Sequence, residues 1–258
     1  MLVQFHGQTD VGKKRAHNED CYHFDEERAF CVVADGMGGR ESGELASKLC
    51  VDTLRKQFHY FCPSLPEDPN WDEVKRSIKM LTVLIKEWMQ RINGEIYDLG
   101  RQESHSNNMG TTVVMLHIRH GFAVAAHVGD SRIYRIREGE GQQQVTEDHS
   151  FINRQLRRNL MTPEEARRST QKNIVTRALG TRDTVETDVQ VIQVREGDIF
   201  LLCSDGLTDL VDNDEIEEII LNNVEDLEHA TNTLIDLANA RGGKDNITTV
   251  LCQVFDLD

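Results

Sequence analysis

The chain has 258 residues, of which 38% are hydrophobic, and its 44 acidic and 29 basic side chains give a formal net charge of −15 at pH 7. This length fits one large domain or at most two small ones, and the apolar fraction is that of a folded protein rather than a disordered one. Nucleic acids and anionic membranes are bound by clusters of lysine and arginine, so the negative charge argues against both as partners.

Cysteine usage and the distribution of apolar residues indicate where such a chain acts. The six cysteines include no C-x-x-C pair, and several lie in apolar runs, which is typical of buried free thiols in a reducing compartment. The N-terminal segment lacks the basic region and apolar core of a secretory signal, and no apolar run approaches the roughly 18 residues of a membrane span. We therefore expect a soluble, cytoplasmic protein that acts as a monomer.

The N-terminal part of the chain is predicted to form two strands followed by two helices. The strands are expected at 2–8 and 28–34, and the first helix at 40–60. The second helix is marked by apolar side chains that recur every three or four positions: Trp71, Val74, Ile78, Leu81, Ile85, Trp88, Ile92 and Ile96. This spacing predicts a long amphipathic helix that packs one stripe against the core.

The rest of the chain alternates β-rich and helical segments. Strands are predicted at 111–119, 122–128, 131–137, 188–194, 198–204 and 247–255. Residues 148–170 are polar and helix-like, and Thr162-Pro163-Glu164-Glu165 is typical of a helix start. Two more helices are expected near 214–222 and 225–240. Strands that bracket both helix pairs predict an α+β fold, with a central antiparallel β-sandwich flanked by helix pairs on both sides in α-β-β-α layers.

Five short segments place an acidic residue beside a glycine or asparagine at a predicted strand end. They are Asn18-Glu19-Asp20, Asp35-Gly36-Met37-Gly38-Gly39, Gly129-Asp130-Ser131-Arg132, Ser204-Asp205-Gly206 and Lys244-Asp245-Asn246. An acid at the rim of a buried strand loses hydration unless something compensates it. Convergence of these rims would build an oxygen-rich pocket of the kind that Mg²⁺ and Mn²⁺ prefer. Because Asp-Gly is also an ordinary turn signal, the pattern alone leaves both interpretations open.

Six segments occur in a fixed order along the chain. They are R-x-x-N-E-D (Arg15 to Asp20), V-V-A-D-G-M-G-G (Val32 to Gly39), G-T-T (Gly110 to Thr112), V-G-D-S-R (Val128 to Arg132), S-D-G-L-T-D (Ser204 to Asp209) and K-D-N-I-T (Lys244 to Thr248). This series resembles that of the metal-dependent type 2C Ser/Thr protein phosphatases of bacterial type, over about residues 5–255. The resemblance implies a single phosphatase domain over residues 1–258, with a flap subdomain at about 148–180.

The resemblance also implies a metal centre built from scattered carboxylates. Asp35 would bridge two Mg²⁺ or Mn²⁺ ions, and the Gly36 carbonyl and, through water, Glu19 would complete the coordination of one of them. Asp205 and Asp245 would hold the other. Two such ions lower the pKa of a shared water and align it for attack on phosphorus, so no protein nucleophile is required.

Three further residues receive roles from the resemblance. Asp130, together with Asp205, resembles the pair that binds a third ion in bacterial members. Asp20 would not bind an ion directly, but would form a hydrogen bond to metal-bound water or to Arg15. Arg15 is the expected phosphate clamp, because its planar fork grips two phosphate oxygens at once. The implied activity is hydrolysis of phosphoserine and phosphothreonine in phosphorylated proteins, which are expected to be substrates of Ser/Thr kinases.

The group that protonates the leaving oxygen is not assigned by the sequence. Eukaryotic relatives carry a histidine two residues after the bridging aspartate for this step. This chain has Met37 at that position, and methionine cannot supply the proton that a leaving alkoxide needs. A metal-bound water, His17 and His149 stay open as donors.

A group of arginines lies in the segment that aligns with the flap: Arg154, Arg157, Arg158, Arg167 and Arg168. In so acidic a chain, this group is able to attract a phosphorylated, acidic substrate segment, or it forms a solvated helix face.

Three other functions compete with the phosphoprotein phosphatase. An inactive binding module is disfavoured because Asp35, Asp205 and Asp245 are all present. A calcium-binding protein is disfavoured because the acids lack the alternate spacing of an EF-hand. The sequence leaves a phosphatase for small molecules or phosphohistidine open.

Overall fold

The computed structural model describes residues 2–39, 41–61, 70–102, 109–169, 171 and 174–256. Its strands are β1 (Leu2–Asp10), β2 (Asp20–Asp25), β3 (Phe30–Met37), β4 (Gly110–Thr111), β5 (Val113–Arg119), β6 (Phe122–Val128), β7 (Arg132–Arg137), β8 (Gly141–Gln144), β9 (Asp188–Gln193), β10 (Ile199–Cys203) and β11 (Ile247–Asp256). Its helices are α1 (Glu41–Phe61), α2 (Trp71–Gln102), α3 (Phe151–Arg157), α4 (Pro163–Arg168), α5 (Asp205–Thr208), α6 (Asn213–Leu221) and α7 (Leu227–Ala240).

Two antiparallel sheets form the centre of the molecule. The first has the strand order β1-β11-β10-β7-β8, and the second has the order β2-β3-β5-β6-β9, with β4 paired to β3. Alternate side chains of both sheets point inward and form one shared core, which includes Val33, Val114, Leu202 and Val250. Both faces of each sheet are covered, which explains why many of the strands have continuous apolar sequences.

Helices cover the outer face of each sheet. Leu54 of α1 and Ile85 of α2 pack with Phe30 and Met115 of the second sheet. Ile216 of α6 and Leu234 of α7 belong to the apolar cluster that includes Leu201 of the first sheet. The predicted α-β-β-α layering is thereby confirmed.

Several elements differ from the sequence prediction. Strands β2, β4 and β8 and the short helix α5 were not predicted, because each is brief and lacks a distinct apolar period. The helical region predicted at 148–170 is two helices, since Asn159 adopts a left-handed conformation (φ 53°) after α3 and Thr162 caps α4 with a capping box. Trp71 was placed in the buried stripe, but as the first residue of α2 it is 53% exposed and rests against Phe122.

Two features predicted from composition can be compared with the fold. Five described cysteines are free thiols, of which Cys21 is partly buried and four are buried, whereas Cys62 lies outside the described residues. Within the described part of the chain, no helix combines the length and the apolar composition that crossing a membrane requires.

Candidate metal centre

The predicted acidic segments meet around one cavity of about 360 Å³ at an edge of the sandwich. This is where β3, β6 and β10 end and β11 begins. The cavity lining includes all but one of the residues predicted for the site: Arg15, Glu19, Asp35, Gly36, Asp130, Asp205 and Asp245. Met37, Thr112, Val175 and Asn246 also line it. Asp20 is the exception and lies behind the cavity wall.

Asp35 stands near the end of β3 and is fixed through its backbone. Its N–H donates to the hydroxyl of Thr112 (3.1 Å), and its carbonyl accepts from the N–H of Thr112 (2.8 Å). The Thr112 hydroxyl also shares a hydrogen bond with Ser131 Oγ (2.7 Å). Loss of water contact, and then the neighbouring carboxylates led by Asp20 and Asp205, raise the pKa of Asp35 well above its usual value.

Gly36 lies where another backbone passes close by. Its N–H donates to the carbonyl of Glu19 (3.1 Å), and a Cβ at this position would overlap the carbonyl oxygen of Gly43. Only glycine therefore fits. Burial raises the pKa of the Glu19 carboxylate, while the Arg15 charge opposes that rise. The close packing brings Glu19 and Gly36 to the same wall of the cavity.

Asn246 joins the two ends of the chain at the cavity, a role that sequence reasoning missed. Its Oδ1 accepts from the N–H of Glu19 (2.9 Å), and its Nδ2 donates to the carbonyls of Val11 (2.9 Å) and His17 (3.0 Å). One side chain thus holds the loop that carries Arg15 and Glu19. The K-D-N motif contained the signal, because a buried amide beside a predicted ligand has four hydrogen bonds to satisfy.

Asp205 and Asp130 face each other's charge across the cavity. Asp205 opens the short helix α5, and burial followed by the charges of Asp130 and Asp245 raises its pKa well above the usual value. Asp130 follows β6 in a turn that requires Gly129, since φ is +116° there and a Cβ would strike Thr112. Burial raises the pKa of Asp130 to about 6.

Asp20 is buried behind the cavity wall and bonds to two hydroxyls. Its Oδ2 accepts from Ser204 Oγ (2.8 Å) and Thr248 Oγ1 (2.6 Å), and burial raises its pKa to about 6. The predicted alternative of a bond to Arg15 is wrong, because Arg15 instead donates to Asp245 Oδ2 (2.6 Å) at the cavity mouth. Asp20 Oδ1 is buried without a hydrogen-bond partner among the described residues.

This arrangement fits divalent cations. Within the described part of the chain, Asp35, Asp130 and Asp205 form no ion pair with an arginine or lysine, and each has a raised pKa. Such a cluster is costly until positive charge arrives. The donor atoms are carboxylate and carbonyl oxygens, which suit hard ions such as Mg²⁺ and Mn²⁺. The orphaned Asp20 Oδ1 adds one more acceptor behind the same wall.

Neither predicted histidine lines the cavity. His149 is buried, its Nδ1 accepts from the N–H of Gly129 (3.0 Å), and its Nε2 lies 3.1 Å from Asp188 Oδ2. Both ring nitrogens are thus engaged, which makes His149 unsuitable as a proton donor to a leaving group. His17 is exposed and contributes its carbonyl to Asn246. Met37 does line the cavity, so the donor stays unassigned.

A second cavity of about 430 Å³ contains part of the predicted arginine group. Its lining includes Arg154, Arg157 and Arg158, and also Arg177, which the sequence had not singled out. Arg157 forms an exposed ion pair with Glu147 (3.0 Å). Arg167 and Arg168 belong to α4, but their side chains lie outside the described residues.

Comparison with known proteins gives matches along nearly the whole chain. The sequence profile of the family described as Protein phosphatase 2C matches residues 9–252. Protein phosphatase PhpP of Streptococcus pneumoniae is 37% identical over 257 residues, which cover 97% of this chain and 97% of that protein.

Two solved structures are similar in both sequence and fold. The serine/threonine phosphatase Stp1 from Staphylococcus aureus has a TM-score of 0.85 at 33% identity, covering 99% of this chain and 96% of that one. The catalytic domain of the serine/threonine protein phosphatase PstP, solved in complex with two manganese ions, has a TM-score of 0.82 at 30% identity, covering 99% of each chain.

Proposed function

Because the chain belongs to the protein phosphatase 2C family, it is a metal-dependent phosphoprotein phosphatase, and we propose that its acidic cavity is the site where phosphoserine and phosphothreonine are hydrolysed. Family membership is carried by a match over residues 9–252. The enzyme uses a pair of Mg²⁺ or Mn²⁺ ions, as the two manganese ions in the PstP structure indicate.

The observation that carries the proposal is a group of carboxylates, Asp35, Asp130 and Asp205, that form no ion pair among the described residues and have raised pKa values. Asp35, Asp205 and Asp245 are proposed to hold the two ions, together with the carbonyl of Gly36 and, through water, Glu19. When bound, the ions neutralise phosphate charge and supply a water of lowered pKa for in-line attack. The raised pKa values of Asp35 and Asp205 support this assignment, because nearby divalent cations stabilise the ionised carboxylates.

Arg15 is proposed to bind the phosphoryl group. Its guanidinium stands at the cavity mouth, is about half exposed and is held by Asp245, which fixes one edge of the fork. Its other N–H groups have no bond to a described residue and can donate to phosphate oxygens, and a planar fork binds two of these oxygens at once. Asp130, with Asp205, is proposed to hold a third ion on the opposite side of the cavity.

The test is phosphate release from a phosphothreonine peptide, measured with excess Mn²⁺ and again with EDTA. We expect activity only with the metal, and we expect Asp205→Asn to remove nearly all of it. Asp214→Asn is the matched control, because Asp214 is an exposed acid in the first turn of α6. Full activity under chelation, or wild-type rates from Asp205→Asn, would refute the proposal.

The substrates are phosphoproteins, and we propose that they are products of Ser/Thr kinases that present acidic residues near the phosphate. The arginines of the second cavity support this, since Arg154 and Arg158 line it without an ion pair among the described residues, and Thr176 of its lining adjoins Val175 of the metal cavity. Free cysteines support a reducing compartment, proposed to be the cytoplasm. Light scattering on the purified chain tests the proposed monomer.

A further inference from the structure

Two histidines and an aspartate form a cluster outside the acidic cavity. Rings of His127 and His149 stack with their centroids 4.6 Å apart, and candidate ligand atoms of His127, His149 and Asp188 lie within 4.8 Å of one another. Both histidines are buried. A metal site and a positioning device are the two roles that this geometry suggests.

The hydrogen bonds of His149 decide against a metal. The N–H of Gly129 points at His149 Nδ1 (3.0 Å), so Nδ1 carries the lone pair and Nε2 carries the proton of the neutral ring. Nε2 lies 3.1 Å from Asp188 Oδ2 and 3.0 Å from Arg177 Nη1. Its N–H donates to Asp188, because the two N–H groups of Arg177 Nη1 already donate to Asp188 Oδ1 (2.9 Å) and the Glu186 carbonyl (3.2 Å). A metal on Nε2 would require this proton to leave, and Arg177 already neutralises Asp188 through a 2.9 Å bond.

The same bonds tie His149 to the turn that carries Asp130. His149 receives the Gly129 N–H on its ring and donates its own backbone N–H to the Gly129 carbonyl (2.8 Å). Both polar groups of Gly129 are therefore held by one residue. Gly129 has φ +116° and packs against Thr112, so this turn has little room to adjust. Asp130 is the next residue, and its direction into the cavity depends on this turn.

His149 also holds the cavity wall opposite. Its carbonyl accepts from both the N–H (2.7 Å) and the hydroxyl (2.9 Å) of Thr176. The neighbouring Val175 lines the acidic cavity. Asp188 on β9 closes the arrangement by holding the ring from the far side. His149 thus joins the 174–176 wall through its backbone carbonyl, the edge strand through its ring, and the Asp130 turn through both its ring and its backbone N–H.

We infer that His149 is a positioning residue, which sets the direction of the Asp130 carboxylate through Gly129 and thereby the affinity of the ion that Asp130 holds. The inference rests on the proposed function, since it takes Asp130 as a metal ligand. Residues that orient ligands through hydrogen bonds typically change metal affinity by about 10- to 100-fold when mutated.

The test uses two variants that each keep one half of the imidazole. Asparagine at 149 places an amide oxygen near the position of Nδ1 and can still accept from Gly129, whereas glutamine reaches only the position of Nε2 and the bond to Asp188. We expect His149→Gln to weaken the weakest Mn²⁺ binding event by about 10- to 100-fold in isothermal titration calorimetry. We expect His149→Asn to stay within about 3-fold of wild type, and the half-saturating Mn²⁺ for p-nitrophenyl phosphate hydrolysis to follow.

Controls separate this role from general stability. His127→Gln keeps the Nε2 bond to the Glu147 carbonyl and both bonds of Gly129, and removes only the ring that stacks on His149, so it should weaken Mn²⁺ binding by less than about 3-fold. Equal losses in both His149 variants, or an equal loss in His127→Gln, would overturn the inference. Unchanged Mn²⁺ binding in Asp130→Asn would overturn it as well. Activity of the wild type in EDTA would refute the proposed function itself.

A measurement on the wild type keeps the inference testable if a variant does not fold. Nitrogen-15 chemical shifts of the histidine rings distinguish the two neutral tautomers. We expect His149 with its proton on Nε2 and Nδ1 unprotonated, as the bond from Gly129 requires. A ring protonated on Nδ1 would overturn the inference.

Discussion

An aspartate lies just beyond each end of strand β10. One of the two has a cationic neighbour, and the other has anionic neighbours. Asp198, just before the strand, is fully buried and accepts bonds from Arg137 Nε (2.6 Å) and Nη2 (2.7 Å) and from the N–H of Arg195 (2.9 Å). Asp205, just after the strand, is partly buried and faces the charges of Asp130 and Asp245. Burial of an acid therefore does not mark a functional site. What sets the acidic cavity apart is that Asp35, Asp130 and Asp205 form no ion pair among the described residues.

The largest expected effect on activity comes from removing a carboxylate charge in the acidic cavity, which Asp35 shares with Asp205. We expect Asp35→Asn to lower kcat/KM by a factor on the order of 10⁴, because metal stabilisation of the transition state is worth several kcal/mol. The measurement is turnover of a phosphothreonine peptide with saturating Mn²⁺, with calorimetry of Mn²⁺ binding. A variant that binds Mn²⁺ as the wild type does would contradict the assignment of Asp35.

Removing the cation that pairs with Asp198 should lower the stability of the protein and leave its activity unchanged. We expect Arg137→Met to lower the free energy of unfolding by about 3 kcal/mol, because it leaves Asp198 buried without its cation. Urea denaturation measures this, and kcat/KM should stay at the wild-type value. Arg195→Met is the control, since its side chain is 62% exposed and its ion pair with Glu140 lies at the surface. Similar destabilisation by both variants would remove the contrast.

Asp130 in the acidic cavity should also make the stability of the metal-free protein depend on pH. The raised pKa of Asp130, about 6, means that native protein binds more protons than unfolded protein between about pH 4 and pH 6. Raising pH through this interval therefore costs native stability. We expect Asp130→Asn to be more stable than wild type by about 2 kcal/mol at pH 7.5 in EDTA, with the difference disappearing near pH 4.

Urea denaturation across pH, with and without Mn²⁺, checks this expectation. Excess Mn²⁺ should reverse the order, because ions that bind the native wild type stabilise it by mass action. A stability difference that is constant with pH would show that the charge of Asp130 is compensated in the metal-free chain.

The smallest expected effect lies in the exposed arginines, where solvent screens charge. We expect Arg157→Glu with Arg158→Glu to raise KM for an acidic phosphopeptide by about 3- to 10-fold at low salt, and to leave p-nitrophenyl phosphate unchanged. Steady-state kinetics with both substrates, repeated at high salt, is the measurement. Equal changes for the two substrates would mean that these arginines form only a solvated surface.

Local sequence patterns predicted most of the architecture. The apolar spacing in α2 and the apolar runs of β5, β6 and β10 predict the type of each element. This works because a buried helix face requires an apolar residue every three or four positions, and a strand buried on both faces requires a continuous apolar run, wherever the element lies in the fold. The brief elements β4 and α5 were missed, because two to four residues carry no period. The exposure of Trp71 was missed as well, because the apolar stripe of a helix does not show how far the sheet that covers it extends.

The sequence by itself determined which acids stand beside strands, and the ordered motifs indicated which of them belong to one site. The tertiary structure decided which acids lack a partner, because the counter-charges come from distant segments. Asp198 pairs with Arg137 from β7, whereas the charges that raise the pKa of Asp205 come from other carboxylates, and Asp20 accepts from Ser204 and Thr248. Whether a charge is compensated depends on which residues lie nearby in the folded protein, and these are often distant in sequence. For the same reason, the hydrogen bonds from Asn246 to Glu19 and from Gly129 to His149 could be identified only from the tertiary structure.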